Sequence, residues 1–220
     1  MEAGGRQSVT RNTPDLLLSQ WLVSFFASCI LYFLLWLPAA EPSWSSALAK
    51  CLPILCLALF VHSTAPSGSY SQFIWVGLFC SALGDFVLTW PNLFLLGLAA
   101  FALAYVSYLK ALGWHPLRLT LLEPVIAVFT LYLGILQPHL PSSLSVPVLV
   151  YAVTLGLMLW RALARGRPAA LGGLFFGISD ALQAWNTFIR PLPSGRLLIM
   201  VTYYAAQALM ALSTVEGRAA

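Results

Sequence analysis

Residues 72–112 read QFIWVGLFCSALGDFVLTWPNLFLLGLAAFALAYVSYLKAL, and they decide the fold. Two apolar runs flank Trp90-Pro91-Asn92, and the only charged residues in the whole stretch are Asp85 and Lys110. A bilayer core of ~30 Å takes ~20 apolar residues per helix. The runs 72–90 and 92–112 therefore each predict a membrane-spanning helix, with a turn at the proline. Lipid offers backbone groups no partners, so helix is the form that such runs must take.

Working outward, six further runs have similar character: 20–37, 47–62, 119–136, 144–160, 169–188 and 196–213. The second and sixth of the eight are short. Pro38 and Pro42, Pro66 to Ser69, Gly113 to Pro116, Pro138 to Ser143, Arg165 to Pro168 and Pro191 to Gly195 separate them. The expectation is an all-α polytopic membrane bundle of eight transmembrane helices over 20–213, with short cytosolic tails at 1–19 and 214–220.

Composition agrees. The chain is 60% hydrophobic and 8% charged, against about 25% charged in an ordinary soluble domain. The net charge of +4 comes from scattered residues, which excludes a basic nucleic-acid footprint. Cys29, Cys51, Cys56 and Cys80 sit in apolar runs without CxxC spacing, so they read as small buried hydrophobes. Arg6 and Arg11 precede an apolar run as in a signal peptide, but 21–37 is long and ends in aromatics, which favours a retained span. With eight spans both termini share a side. That side collects Arg6, Arg11, Lys110, Arg118, Arg161, Arg165, Arg167 and Arg218, against Lys50, Arg190 and Arg196 on the other. The positive-inside rule then puts both termini in the cytosol.

The third and seventh runs resemble each other. Leu78-Phe79, Gly84-Asp85 and Trp90 in one match Leu174-Phe175, Ser179-Asp180 and Trp185 in the other. The aspartates are four spans apart, so their helices run the same way, as in a parallel four-plus-four duplication; chance is the other reading of so short a match. Both carboxyls fall about two-thirds of the way along, in the non-cytosolic half.

An ionisable group inside a span costs ~2.5–3.5 kcal/mol on insertion scales and faces a cavity or a partner. Asp85 and Asp180 are the deepest; Lys50 opens the second run, Glu123 the fifth, and Gln207 lies within the eighth. Gly77 and Ser81 precede Asp85 at helical spacing, and Gly173, Gly177, Ala181 and Ala184 run along the Asp180 helix. Small residues so spaced let helices approach, so both aspartates should face the bundle. In a structural role, one would pair with Lys50 and the other with tyrosine hydroxyls. In a functional role, two carboxyls share a cavity of low dielectric, where one can hold a proton while the other is ionised, an arrangement suited to acid–base hydrolysis.

Tyr105, Tyr108, Tyr203 and Tyr204 read first as packing or interface residues, although Tyr204 and Gln207, three apart, can turn a hydroxyl and an amide to one cavity. His62, His115 and His139 lie at run ends and carry no catalytic or metal expectation. No phosphate loop, HExxH or GxSxG occurs.

Lys50, Gly84-Asp85-x-x-Leu88, Ser179-Asp180 and Tyr204-x-x-Gln207, in this order and spacing, resemble the lysoplasmalogenase (YhhN-like) family. The likeness extends from Trp21 to about Leu212. It implies hydrolysis of the vinyl ether bond of lysoplasmalogens to a fatty aldehyde and glycerophosphocholine or glycerophosphoethanolamine, without metal or organic cofactor. It also implies residence in the endoplasmic reticulum. The implied partners are the lysophospholipid substrate and membrane lipid, with a homodimer left open and no nucleic acid. Family members tend to carry a His followed three residues later by Tyr in the fourth span; here those positions are Tyr105 and Tyr108.

The chemistry fits the residues. Protonating the β-carbon of a vinyl ether gives an oxocarbenium-like cation, which water attacks; glycosidases meet such a cation with paired carboxyls. Asp85 and Asp180 are expected to be the acid–base pair, with Lys50, Tyr108, Tyr203, Tyr204 and Gln207 orienting them or the lipid. Two rivals share these residues: a proton-coupled transporter and a lipid-binding scaffold. Transporter spans are often broken mid-membrane, whereas the prolines here fall mostly near span ends.

Overall fold

The computed structural model describes residues 13–36, 42–65 and 67–216. Arg6, Arg11 and Arg218 of the charge count, the breaks at Pro38 and Pro66, and most of the two tails lie outside them. The described residues form eight α-helices: α1 Thr13–Trp36, α2 Trp44–Thr64, α3 Ser69–Val87, α4 Phe94–Leu112, α5 Leu122–Leu136, α6 Ser142–Arg165, α7 Arg167–Ala184 and α8 Gly195–Glu216. Short 3₁₀ turns at Pro91–Leu93, Leu119–Leu121 and Gln137–His139 lead into or out of helices. A π-helical segment, Trp185–Ile189, continues α7.

All eight expected helices are present, with shifted ends. α1 begins seven residues before the expected start at 20, and α6 runs on to Arg165 past the expected end at 160. Arg161 and Arg165, read from sequence as loop charges, thus belong to a helix. Six segments are long and apolar enough to cross a membrane: Trp44–Thr64, Ser69–Val87, Pro91–Leu112, Leu119–His139, Ser142–Arg165 and Gly195–Val215. Two helices fall short of that standard among the described residues. α1 has a shorter apolar part, Ser19–Leu35, and α7 spends its 18 residues partly on glycines, Ser179 and Asp180.

Helices α2, α3, α4, α6, α7 and α8 close a ring, each packing on the next, and α8 returns to α2 and α3. α1 lies against α2, and α5 against α6. The ring interior is filled by Ile54, Ile74, Leu78, Met158, Phe176 and Met210, all fully buried. Large apolar side chains such as Phe79, Leu83, Leu103 and Val153 point outward and are more than half exposed, the inverse of a water-soluble surface and the pattern of a lipid-facing one.

Small residues set the closest approaches. A Cβ on Gly77 would run into the Tyr108 ring, so the bare glycine lets that ring lie directly against the α3 backbone. A Cβ on Gly173 would lie 2.8 Å from that of Ala162 on α6. Gly177, expected to do the same, has only an ordinary 3.8 Å contact with Leu159.

At the α4–α5 end, the buried Arg161 donates from Nε to Gly113 O (2.7 Å) and from Nη1 to Pro116 O (2.8 Å). Trp160 donates to Arg118 O at 2.9 Å, and Arg165 stacks 4.4 Å over the Tyr70 ring. Cations placed at the last carbonyls of α4 also complement its dipole. These contacts pin the loop and close this end of the bundle.

Gly77→Leu should overpack the α3–α4 contact at a cost of about 1–3 kcal/mol and lower the thermal unfolding temperature in detergent by several degrees. Gly134→Leu, where an added Cβ meets nothing within 4 Å, should leave it unchanged. Equal melting of the two variants would contradict this packing.

Candidate active site

Asp85 lies in the last turn of α3 and Asp180 about a turn before the end of α7, closer to the helix ends than the expected two-thirds depth. Asp85 is 1% exposed. Its Oδ1 stands 3.2 Å from Lys50 Nζ on α2, and its Oδ2 accepts from the Tyr203 hydroxyl on α8 at 2.6 Å. The chain of bonds continues inward. Gln207 Nε2 donates to Tyr203 Oη at 3.0 Å, Tyr108 Oη donates to Gln207 Oε1 at 2.7 Å, and Ser81 Oγ lies 3.5 Å from Tyr108 Oη. Tyr203 and Gln207 are four apart and so share a face of α8, which lets one amide hold the phenol that holds the carboxylate.

Asp180 has a different set of partners. Its Oδ2 accepts from the hydroxyls of Tyr105 on α4 and Tyr151 on α6, each at 2.6 Å. No cation stands beside it among the described residues. The two phenols are themselves 3.4 Å apart. Phe176, one turn before Asp180, is fully buried with ring centroids 5.3 Å from Tyr105, 5.8 Å from Tyr108 and 6.2 Å from Tyr203. It forms an apolar wedge among the tyrosines of the two networks.

Both aspartates line one cavity of about 530 Å³. Lys50, Tyr151 and Tyr203 border it with them, while Leu98, Phe101, Val148 and Met200 give it apolar walls. It reaches the ends of α3 and α7 and the starts of α2, α4 and α8, where Asn186 and Thr187 of the π segment and Arg196 add polar groups. Asn186 Oδ1 accepts from Leu192 N at 2.9 Å, tying down the turn into α8. A π segment at the rim of such a cavity is a common functional device.

Among the sequence-expected residues, Asp85, Asp180, Lys50 and Tyr203 come together on the cavity, and Tyr108 and Gln207 lie beneath it as support. Tyr204 and Gln207 do not turn to one cavity, contrary to the sequence reading. Gln207 bonds Tyr203, whereas Tyr204 donates to the Lys50 carbonyl at 2.9 Å and packs edge-on against Tyr32 and Phe25 of α1. Each aspartate is satisfied in the manner of the structural role, one by Lys50 and one by tyrosines, and both are at a cavity as the functional role requires. Sequence reasoning missed Tyr151. Its signal was a hydroxyl in the middle of the 144–160 run, away from either interface, where it needs an internal partner. Glu123 is exposed and outside the site, and the four cysteines are free thiols, buried or half-buried.

The arrangement offers a carboxylate with its counter-charge, a second carboxyl without one, and a partly apolar space that both border. That is the equipment for moving a proton onto a substrate and stabilising the cation formed.

Comparison with known proteins points the same way. The chain is 48% identical to "Lysoplasmalogenase TMEM86B" of Sus scrofa over 206 residues, covering 94% of this chain and 91% of that one. It is 42% identical to "Lysoplasmalogenase TMEM86A" of Homo sapiens, covering 90% and 89%. It is 29% identical to "Lysoplasmalogenase" of Mycobacterium tuberculosis, covering 81% and 71%. No solved structure matches it. The profile of the YhhN family matches residues 45–214, from the start of α2 to the end of α8 and including every residue of the site. On that match and on these relatives, the chain belongs to the YhhN family.

Proposed function

We propose that this protein is a lysoplasmalogenase, a membrane hydrolase that cleaves the vinyl ether bond of 1-alkenyl glycerophosphocholine or glycerophosphoethanolamine. The observation that carries the reading is the single cavity lined by two aspartates, Asp85 buried and Asp180 half-buried, whose partners differ in charge. The names of the relatives support the substrate class.

In this reading Asp180, with no cation in contact, is the acid. Its proton passes to the β-carbon of the vinyl ether, and the Tyr105 and Tyr151 phenols fix its direction. The resulting oxocarbenium ion is stabilised by Asp85, kept ionised by Lys50 and oriented by Tyr203. Water adds to the cation, giving up a proton to a carboxylate. The hemiacetal collapses to a fatty aldehyde and the free glycerol hydroxyl. Tyr108 and Gln207 act at one remove, by holding Tyr203. Tyr204 acts on the Lys50 backbone. Tyr105 takes the position of the family His by donating to Asp180.

The reading extends to topology: eight spans, counting α1 and α7, both termini cytosolic, and the cavity at the non-cytosolic end in the endoplasmic reticulum membrane. A duplicated architecture is supported by a crossed pattern. Each aspartate is on the third helix of its half and has a partner on the second, Lys50 or Tyr151. Each also takes a phenol from the fourth helix of the other half, Tyr203 or Tyr105. α1 and α5 likewise lie outside the ring, each against the helix that follows it. Reporter tags at the two ends should both read as cytosolic; a luminal reading for either would overturn the orientation.

With purified protein and a lysoplasmalogen, Asp85→Asn and Asp180→Asn should each cut aldehyde release by about 100-fold or more while the proteins stay folded by thermal shift. Near-wild-type release from both folded variants would sink the mechanism. Solute-driven proton flux in proteoliposomes without aldehyde would favour a carrier instead.

Lys50→Met should leave Asp85 as a buried charge without a partner and destabilise the fold by a few kcal/mol, the scale for a broken buried pair. Adding Asp85→Asn should recover most of the melting temperature but none of the activity. A double variant as unstable as the single one would show that the ion pair is not what Lys50 contributes.

A further inference from the structure

A second hollow of about 450 Å³ lies beside the aspartate cavity, between the start of α4 and the start of α6. Leu95, Leu96 and Leu144 form its walls. Leu95 and Leu96 are more than half exposed and belong to the span Pro91–Leu112. The groove lies at the same end of the bundle as the mouth of the aspartate cavity, which reaches further along the helices to Leu98, Phe101, Val148 and Tyr151. The two hollows share Pro91, Phe94, Thr187 and Phe188 as lining. The rings of Phe94 and Phe188 meet edge to face with centroids 6.0 Å apart. Such a pair contributes only ~0.5–1.5 kcal/mol beyond its burial, so a bound chain can displace it.

We propose that this groove is the subsite for the hydrocarbon chain of the substrate, with the Phe94–Phe188 pair as the partition that the chain passes. The proposal rests on the lysoplasmalogenase reading above. A lysoplasmalogen is polar at one end and a single alkenyl chain at the other, and its scissile group sits where the two join. The protein must hold that junction at the aspartates, with the headgroup in a polar space and the chain in an apolar one. The aspartate cavity, beside its apolar walls, carries the charged and amide groups: Lys50, Arg196 and Asn186 lie on it, and a polymethylene chain laid over them would leave polar groups without water or partner. Each methylene moved from an apolar medium to water costs ~0.8 kcal/mol. The exposed leucines of the groove offer the chain an apolar surface that spares part of that cost. The phosphate end then points toward Lys50 and Arg196. The aldehyde returns to lipid through the groove, and the polar product leaves by the other end of the cavity.

Ser143, exposed at the first turn of α6, lines the groove and makes no hydrogen bond among the described residues. Ser143→Trp and, separately, Leu96→Trp should fill the groove. Aldehyde release from a long-chain lysoplasmalogen should then fall about tenfold or more in kcat/KM, the range seen when a methylene loses its pocket. A short-chain vinyl ether analogue should change by no more than about twofold. Equal losses for both chain lengths, or no loss for either, would overturn the groove as the chain site. A binding arm is independent of turnover: a saturated 1-O-alkyl lysophosphocholine with a terminal diazirine should label the segments 93–96 and 143–144. Labelling spread over the outward faces of α1 and α5 instead would overturn the proposal. Wild-type protein that takes the label in the groove yet releases no aldehyde would overturn the catalytic reading and leave the chain site standing.

Discussion

A carboxylate inside a helical bundle needs partners from other helices, and most of this structure follows from supplying them twice. Asp85 needs Lys50 from α2 and Tyr203 from α8; Asp180 needs Tyr105 from α4 and Tyr151 from α6. The six helices carrying these residues are the six that close the ring. Without a hydrophobic drive between helices in lipid, packing of small residues and interhelical hydrogen bonds must set the arrangement. Gly77 and Gly173 give the close approach, and the aspartates give the register. Moving α8 by one residue along its axis would turn Tyr203 away from Asp85 and strand Gln207 and Tyr108 with it.

The two sets of partners differ in kind. A lysine ammonium neutralises Asp85, so charge is balanced before any substrate arrives. Two phenols hold Asp180 without balancing it, leaving a group able to give up or take a proton with little change in geometry. Phe176 stands among the phenols of both networks and keeps them from merging into one. Merged networks would share their protons and titrate as a unit, losing the division of roles that the proposed acid–base mechanism requires.

Much of this was legible in the sequence, because the bilayer makes the code simple. Run lengths gave eight helices, and two charges in otherwise apolar runs pointed to the aspartates that line one cavity. Tyr151 was not legible. A lone tyrosine in an apolar run is ambiguous until the helix facing it is known, and sequence does not say that α6 packs on α4 and α7. The same ignorance misdirected Tyr204. Spacing put it on the face of Gln207, but Tyr203, one residue away, is the one whose phenol reaches the carboxylate. The ends of α6 were misjudged for another reason. Arg161 and Arg165 read as loop charges by hydropathy, yet the carbonyls of Gly113, Pro116 and Leu112 accept from them inside the bundle end. Hydropathy counts a charge as wet unless its partners are known.

The placement of the carboxyls near the helix ends bears on the chemistry. Hydrolysis needs one water for each substrate, and a site at the bilayer midplane would have to import it. Asp85 in the last turn of α3 and Asp180 near the π segment sit where Asn186, Thr187 and Arg196 bring polar surface to the cavity. An alkenyl lysolipid carries its vinyl ether at this same level, just below its headgroup, when it lies in a leaflet. On the proposed mechanism, the carboxyls and the vinyl ether then lie at the same level. The lipid has only to move sideways, and the protein does not have to lift it. A deeper pair of aspartates would be better insulated but would meet hydrocarbon rather than the vinyl ether. A shallower pair would meet the ether in water, where solvent would screen the Lys50 charge that distinguishes one carboxyl from the other. In the proposed mechanism the last turn of α3 and the penultimate turn of α7 are the compromise between those limits, and the π segment keeps the end of α7 beside the cavity that both carboxyls share.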